Sequence, residues 1–334
     1  MTHRLNHRAG RSGPPRLGRR LALGLAGAAL AAPALRAQSA AIRIIVPFAP
    51  GGSTDAVARL AAPGLTQRLG HPVIVENRSG AAGAIGTEAV VKAAPDGQTW
   101  LLTFDSHAVL PALLPNLAFN ITRDLDPVML IGGAPYVLAT RPDRPFRSLS
   151  EFVAAAKAQP DAISYGSTGN GTIGHLTMVL LQSRTGTRMA HLPYRGGGLA
   201  VNDTVAGHVD AMIGSAALVA PHIAGGTLRA LAQFGPTRLP ALAPVETAEE
   251  AGFPGLQAEA WWGVFAPSGT PTSGIDRMNA ALRESLTEER VRRQMEETQQ
   301  ARLVLSDPAG LRTFLDRQIE VWGGVVRSNA IRAD

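Results

Sequence analysis

The sequence predicts an α/β protein with mostly parallel sheets. Short runs of β-branched and aromatic residues alternate with segments whose apolar residues recur at helical spacing, and glycine-rich turns separate many of them. Of the 334 residues, 45% are hydrophobic and 17% are charged. This composition is typical of a globular protein, and the length leaves room for two lobes that each have a core.

The predicted elements follow one another along almost the whole chain. A first strand begins at residue 42, and further strands are predicted at 71–77, 99–104, 135–140, 163–166, 189–193, 209–214, 228–233 and 261–266. Helices are predicted at about 54–69, 84–93, 149–158, 199–206, 272–285, 287–298 and 307–328, with one more running from the end of the 167–175 loop to about 185.

The charge distribution argues against a nucleic-acid partner. The formal net charge is +6, but residues 1–38 hold seven arginines and no acidic residue. Subtracting these seven from the 32 lysines and arginines leaves 25, against 26 aspartates and glutamates. Because the rest of the chain is nearly neutral, it lacks the basic surface that binds phosphate backbones.

Residues 1–38 have the pattern of an export signal peptide. A basic region ends at Arg19-Arg20, a short apolar run follows at 21–32, and small residues come next. The apolar run is shorter than the span of about 20 residues that crosses a membrane. The paired arginines leave both the general and the twin-arginine export routes open. We expect cleavage between residues 38 and 41 and a periplasmic mature protein.

Several common kinds of site have no matching pattern. With no cysteine, the chain has no disulfide and no thiolate nucleophile. The stretch 169–174 matches G-x-G-x-x-G, but no acid follows about 20 residues later, where a nicotinamide site needs one. There is no G-x-S-x-G or H-E-x-x-H motif. We therefore expect no cofactor, no metal and no catalytic residue.

Two glycine-rich turns are candidate anion sites. The stretch 50–54 and the stretch 167–175 each join a predicted strand to the start of a predicted helix. Free amide groups and the positive end of the helix dipole point into such a turn. Each turn by itself is equally consistent with an ordinary strand-to-helix connection. Facing each other, the two turns would form a cleft that holds an anion from both sides.

Six blocks of sequence resemble the Bug-type receptors, the periplasmic solute-binding components of tripartite tricarboxylate transporters. In chain order the blocks are 46–55 (VPFAPGGSTD), 75–86 (VENRSGAAGAIG), 94–97 (APDG), 192–197 (LPYRGG), 207–210 (GHVD) and 262–271 (WGVFAPSGTP). The resemblance covers nearly all of residues 42–332. The chain departs from the family pattern at Ser79 and Ala84, where proline and asparagine are usual.

The resemblance implies a type II periplasmic binding protein fold, in which two α/β lobes joined by two crossing strands close over a ligand. It divides the chain into a first lobe of residues 41–139 plus 260–334 and a second lobe of 140–259. Family ligands are mostly small carboxylates, held largely by backbone amides, hydroxyls and water. The implied partners are membrane permease subunits, and we expect a monomer that is not an enzyme.

The predicted ligand contacts lie on both lobes. On the first lobe they are Phe48, Gly51, Gly52, Ser53, Thr54, Ser106 and His107; on the second they are Ser167, Thr168, Gly169, Thr172, His175, Tyr194, Arg195, Asp210 and Ser215. Asp105 follows the third strand, and an anionic Asp105 in the cleft would repel a carboxylate unless it were buried and neutral or paired.

Two other functions are consistent with the sequence. One is a ligand sensor that reports to a membrane kinase, and the other is an exported hydrolase or isomerase using Asp105, His107 or His175. The sequence does not identify the ligand.

Overall fold

The computed structural model describes residues 1–2, 41–194 and 196–332. The predicted signal peptide at 1–38 therefore lies almost entirely outside the described residues. Within the described part, no helix combines the length and the apolar character needed to cross a membrane.

Ten strands and ten helices are found in the described residues. The strands are β1 Ile42–Val46, β2 Val73–Asn77, β3 Thr99–Phe104, β4 Leu125–Thr140, β5 Ser164–Ser167, β6 Ala190–Pro193, β7 Ala211–Ser215, β8 Arg229–Gln233, β9 Glu259–Pro267 and β10 Arg302–Leu303. The helices are α1 Ser53–Leu69, α2 Ala84–Val91, α3 Leu110–Leu113, α4 Leu149–Ala158, α5 Ile173–Thr185, α6 Gly197–Ala206, α7 Ala216–Ala224, α8 Thr272–Thr287, α9 Glu289–Thr298 and α10 Pro308–Ser328. Short 3₁₀ helices lie at Ala81–Gly83, Asp105–Val109 and Pro240–Leu242.

The strands form one sheet with two parts that share β4. The order along the sheet is β2-β1-β3-β9-β4-β7-β5-β6, with β8 and β10 also paired to β4. Before Tyr136, β4 pairs with β9 and β10; from Tyr136 to Thr140 it pairs with β7 and β8. We call the part around β1 to β3 and β9 the first sheet and the part around β5 to β8 the second sheet.

The prediction of mostly parallel sheets is wrong for the middle of the sheet. β1 pairs in parallel with β2 and β3, and β5 pairs in parallel with β6 and β7. All the pairings of β4 and β9 are antiparallel. Parallel neighbours are joined by helical crossovers, as in the two outer parts of the sheet. β4 and β9 instead connect those two parts, so no crossover makes them run parallel to their neighbours.

The sequence located most elements, and three of the features that it missed have a clear cause. β4 begins ten residues before its predicted start, because Pro127, Gly132 and Gly133 interrupt the apolar pattern that identifies a strand. Helix α7 was missed because Pro221 lies inside it. The two-residue strand β10 is too short to give a periodic signal.

An aromatic cluster fixes the end of β3 that leads to the site. Phe104 packs edge-on against Phe48, with ring centroids 6.3 Å apart, and its ring centroid is 6.0 Å from that of Trp262 on β9. Trp262 is 1% exposed. Large buried rings contribute strongly to a core, so this cluster holds the β1 turn, the end of β3 and β9 in one rigid unit.

Candidate functional site

The first glycine turn is held in place by the carboxylate of Asp55. Gly51 has a φ of +82°, and Ser53 begins helix α1 after the N-cap residue Gly52. The Asp55 carboxylate accepts the Gly51 amide at 3.0 Å and the Asn77 side-chain amide at 2.9 Å. Arg59 also donates to it, and these hydrogen bonds hold the pKa of Asp55 below its usual value.

Replacing Asp55 with asparagine should destabilise the protein and loosen this turn. The carboxyl is buried with a residue exposure of 4%, and hydrogen bonds to a charged group are each worth about 1.5–3 kcal/mol. We expect Asp55→Asn to lower the free energy of unfolding by about 2 kcal/mol in urea titrations at pH 7. The control is Asp143→Asn, which breaks an exposed ion pair with Arg141 and should cost almost nothing. An equal effect of the two variants would contradict this role for Asp55.

The second glycine turn is supported by a pair of stacked histidines. The rings of His175 and His191 are parallel within 7°, with centroids 3.9 Å apart. His175 Nδ1 accepts the Gly171 amide at 3.0 Å, and His191 Nε2 lies 2.7 Å from Ser167 Oγ. Thr172 caps helix α5 by accepting the His175 amide. The hydrogen bonds of these side chains fix the conformation of the second glycine turn.

Two further helices begin close to the two glycine turns. Ser215, at the end of β7, is the N-cap of helix α7, and Gly196 precedes the first residue of helix α6, Gly197. The first amides of a helix have no carbonyl partner within it and carry a partial positive charge. With α1, three helices therefore direct unpaired amide groups toward one region.

That region is a cleft of about 590 Å³ between the first and second sheets. Its lining is uncharged among the described residues, with hydroxyl, amide, glycine and apolar groups. The lining residues are Gly51, Gly52, Ser53, Ala56, Phe104, Tyr136, Thr168, Gly197, Gly198, Ser215, Ala217, Leu218, Thr298 and Gln299. An anion in this cleft would be held by dipoles and hydroxyl groups.

Five of the predicted contacts line the cleft. They are Gly51, Gly52 and Ser53 from the first turn, Thr168 from the second turn, and Ser215. The lining also includes residues that were not predicted as contacts, among them Tyr136, Leu218 and Gln299. Gln299 accepts a 2.6 Å hydrogen bond from Ser53 Oγ, which joins the first turn to the end of helix α9.

Other predicted contacts are not in the cleft lining and contact other parts of the protein. Phe48 packs on Phe104, Thr54 is 4% exposed, and Ser106 lies near the Ala82 carbonyl. In the second turn, hydrogen bonds within the loop use Ser167, Gly169 and Thr172. Arg195 lies outside the described residues.

The structure directs three predicted contacts elsewhere. Asp210 lies at the far end of β7 from Ser215, where its carboxylate accepts from Ser164 and pairs with Arg144 at 2.6 Å. The Tyr194 hydroxyl donates to Asp203 at 2.8 Å. His107 is 0% exposed and packs against Phe265 with the two rings tilted by 36°, and neither of its ring nitrogens has a hydrogen-bond partner. None of the three belongs to the cleft lining.

Asp105 is buried beneath the cleft. It is 2% exposed, and its Oδ2 accepts a 2.7 Å hydrogen bond from the hydroxyl of Tyr136. Burial raises the pKa of Asp105 to about 7, although hydrogen bonds from Tyr136 and from the Ser106 amide act in the opposite direction. Burial lowers the pKa of neighbouring His107 to about 3.

A second cavity of similar size has a different character. It encloses about 620 Å³ between the 236–241 segment and the residues around β10. Its walls carry charges of both signs that already have partners, such as Arg302 with Glu259 and Arg238 with Glu250. Among the described residues that line it, none begins one of the ten helices, so the cleft is the better candidate for an anion site.

Comparisons with known proteins agree with this geometry. Residues 57–330 match the model of the tripartite tricarboxylate transporter family receptor. BugT of Bordetella pertussis is 39% identical over 293 residues, which are 87% of this chain and 90% of that protein.

Two solved structures share the fold over nearly their whole length. MatC from Rhodopseudomonas palustris, with bound malate, has a TM-score of 0.75 and 33% identity over 86% of this chain and 98% of that one. Another R. palustris protein, with adipate, has a TM-score of 0.78 and 28% identity over 87% of this chain and 97% of that one. The chain therefore belongs to the tripartite tricarboxylate transporter receptor family, whose members are periplasmic solute-binding proteins and not enzymes.

Proposed function

We propose that this receptor binds a small organic acid in the cleft and delivers it to the permease subunits of a tripartite transporter. The observation that carries this proposal is the convergence of three helix N-termini on an uncharged cleft. Such a site attracts an anion through amide groups and helix dipoles. The malate and adipate in the two related structures are both dicarboxylates, which supports the same ligand class.

The two walls of the cleft would close on the ligand as lobes. The first lobe is residues 41–139 plus 260–334, and the second is 140–259. Gly52 and Ser53 would bind from the first lobe, and Thr168, Gly197 and Ser215 from the second. β4 and β9 would act as the hinge, since β4 pairs with both parts of the sheet. Closure around a ligand is the usual motion of such two-lobed receptors.

We propose further that the protein acts as a periplasmic monomer after export. The arginine-rich segment and apolar run at 1–38 support export, as does membership of a periplasmic family. Transport in place of signalling rests on the family to which the chain belongs.

A thermal-shift screen tests the ligand class. A ligand that binds only the folded state raises the melting temperature, by an amount that grows with concentration above Kd. We expect at least one member of a panel of di-, tricarboxylic and aromatic acids to raise the melting temperature of the mature protein, whereas the corresponding amides should not. Stabilisation by amides alone would overturn the proposal that the cleft holds an anion.

A further inference from the structure

Asp105 is separated from the cleft by one hydrogen bond. It directly follows β3, and its carboxyl accepts from Tyr136, which itself lines the cleft. Tyr136 is the residue at which β4 passes from the first sheet to the second. The ring of Tyr136 also packs near Gly174 at the start of helix α5, so the pair lies where the two parts of the protein meet.

The elements packed around Asp105 bring no described cation to it. On its own 3₁₀ helix the titratable neighbour is His107, which is buried and uncharged at neutral pH. From α5 the nearest such group is His175, which accepts the Gly171 amide. On β9 Glu259 pairs with Arg302. The segments 81–83 and 110–113 carry no titratable side chain.

Helix α10 packs against the Asp105 segment through apolar side chains. Leu311 and Leu315 are fully buried there, and Trp322 is 2% exposed. The guanidinium of Arg312 donates to the carbonyls of Thr122 and Leu125. The remaining charged residues of α10 are on its exposed side: Asp316, Arg317, Glu320 and Arg327. Among the described residues, Asp105 has no ion-pair partner.

We propose that Asp105 sets the charge that the cleft accepts, by taking up a proton when an anionic ligand binds beside Tyr136. This inference rests on the proposed function, since it assumes that the ligand is an acid. A bound carboxylate adds a like charge near a buried carboxylate, which favours the protonated form of Asp105. The proton comes from the solvent, and a neutral ligand would not require it.

The hydrogen bond between Tyr136 and Asp105 couples the protonation of Asp105 to the cleft. When Asp105 is ionised, the Tyr136 hydroxyl must donate to it. When Asp105 is protonated, its own O–H can donate to the Tyr136 oxygen, which frees the phenolic proton for a ligand oxygen. Because the pKa of Asp105 is raised to about 7, both forms are populated near neutral pH. Protonation of Asp105 therefore changes Tyr136 from an acceptor to a donor toward the cleft.

Calorimetry on the mature protein tests this proposal, with malate, adipate and the neutral diamide of adipic acid as probes. Titrations in buffers with different heats of ionisation give the number of protons taken up on binding. We expect uptake of part of a proton with the acids at pH 7, none with the diamide, and about tenfold weaker acid binding at pH 8.5 than at pH 6.5. In Asp105→Asn both the uptake and the pH dependence should disappear, whereas Asp143→Asn should behave as wild type.

Each outcome decides the question. If Asp105→Asn keeps the proton uptake and the wild-type pH profile, the proposal for Asp105 is overturned and the proposed function stands. If no acid binds the wild-type protein at any pH, both fail. If Asp105→Asn does not fold, Tyr136→Phe replaces it. That variant removes a hydrogen bond that lowers the pKa of Asp105, so the loss of affinity should move to higher pH; an unmoved midpoint would overturn the proposal.

Discussion

Gly52→Pro should weaken binding of an acid ligand by about tenfold to a hundredfold. Gly52 has a φ of −77°, which proline adopts readily, and a β-carbon there would lie 3.6 Å from the Ala49 carbonyl oxygen, an ordinary contact. Proline therefore fits the backbone but removes one amide donor. A hydrogen bond to a charged group is worth about 1.5–3 kcal/mol, which gives the expected loss.

The matched control is Gly52→Ala, which adds a side-chain carbon and keeps the amide. We expect this variant to bind within about threefold of wild type in the same calorimetric titrations. Equal losses in the alanine and proline variants would assign the effect to the shape of the turn. Unchanged affinity in a folded proline variant would show that the Gly52 amide does not contact the ligand.

The glycine turns and the helix starts were predictable because their causes are local. A β-branched strand, a glycine with positive φ and the first residue of a helix lie within a few residues of one another, as in β1, Gly51 and Ser53. Ser215 also follows a strand and precedes a helix, but Pro221 hid that helix from the sequence pattern. Where the backbone amides of such a turn would bind the ligand, the local sequence pattern therefore also identifies the candidate binding residues.

The rest of the site depends on long-range packing. Gln299 reaches Ser53 from 246 positions away, and no periodicity connects the two. His107 was predicted as a contact because it follows the end of a strand, and Asp210 was placed inside a predicted strand at 209–214, but the sequence does not show which way either side chain points. The 3₁₀ helix turns His107 into the core, and Asp210 belongs to the amino end of β7 and not to its carboxyl end. Tertiary contacts therefore decide where both side chains point.

The cleft and its floor combine two different kinds of electrostatics. The lining supplies fixed dipoles and hydroxyl groups and contains no described charged side chain. Beneath it, Asp105 and His107 are both buried and both displaced from their usual pKa values. Charge in the site can therefore change by protonation without any change in the lining itself, which makes the pH dependence of stability the most direct probe of this floor.

His107→Leu should change how stability depends on pH. Burial lowers the pKa of His107 to about 3, whereas in the unfolded chain it is close to 6.5. The unfolded state therefore binds the proton first, so the contribution of His107 is fully present above pH 6.5 and is lost as pH falls toward 3. At 1.36 kcal/mol for each pKa unit, this loss is about 5 kcal/mol.

Asp105 acts in the opposite direction over much of the same range. Its pKa is about 7 when folded and about 3.9 when unfolded, so its contribution is present below pH 4 and is lost as pH rises to 7. In the wild-type protein the two slopes should largely cancel between pH 4 and 6.5. Urea titrations across this range should show stability falling with rising pH in His107→Leu and falling with decreasing pH in Asp105→Asn. Parallel profiles for the two variants would contradict the burial of one or both groups as titrating sites.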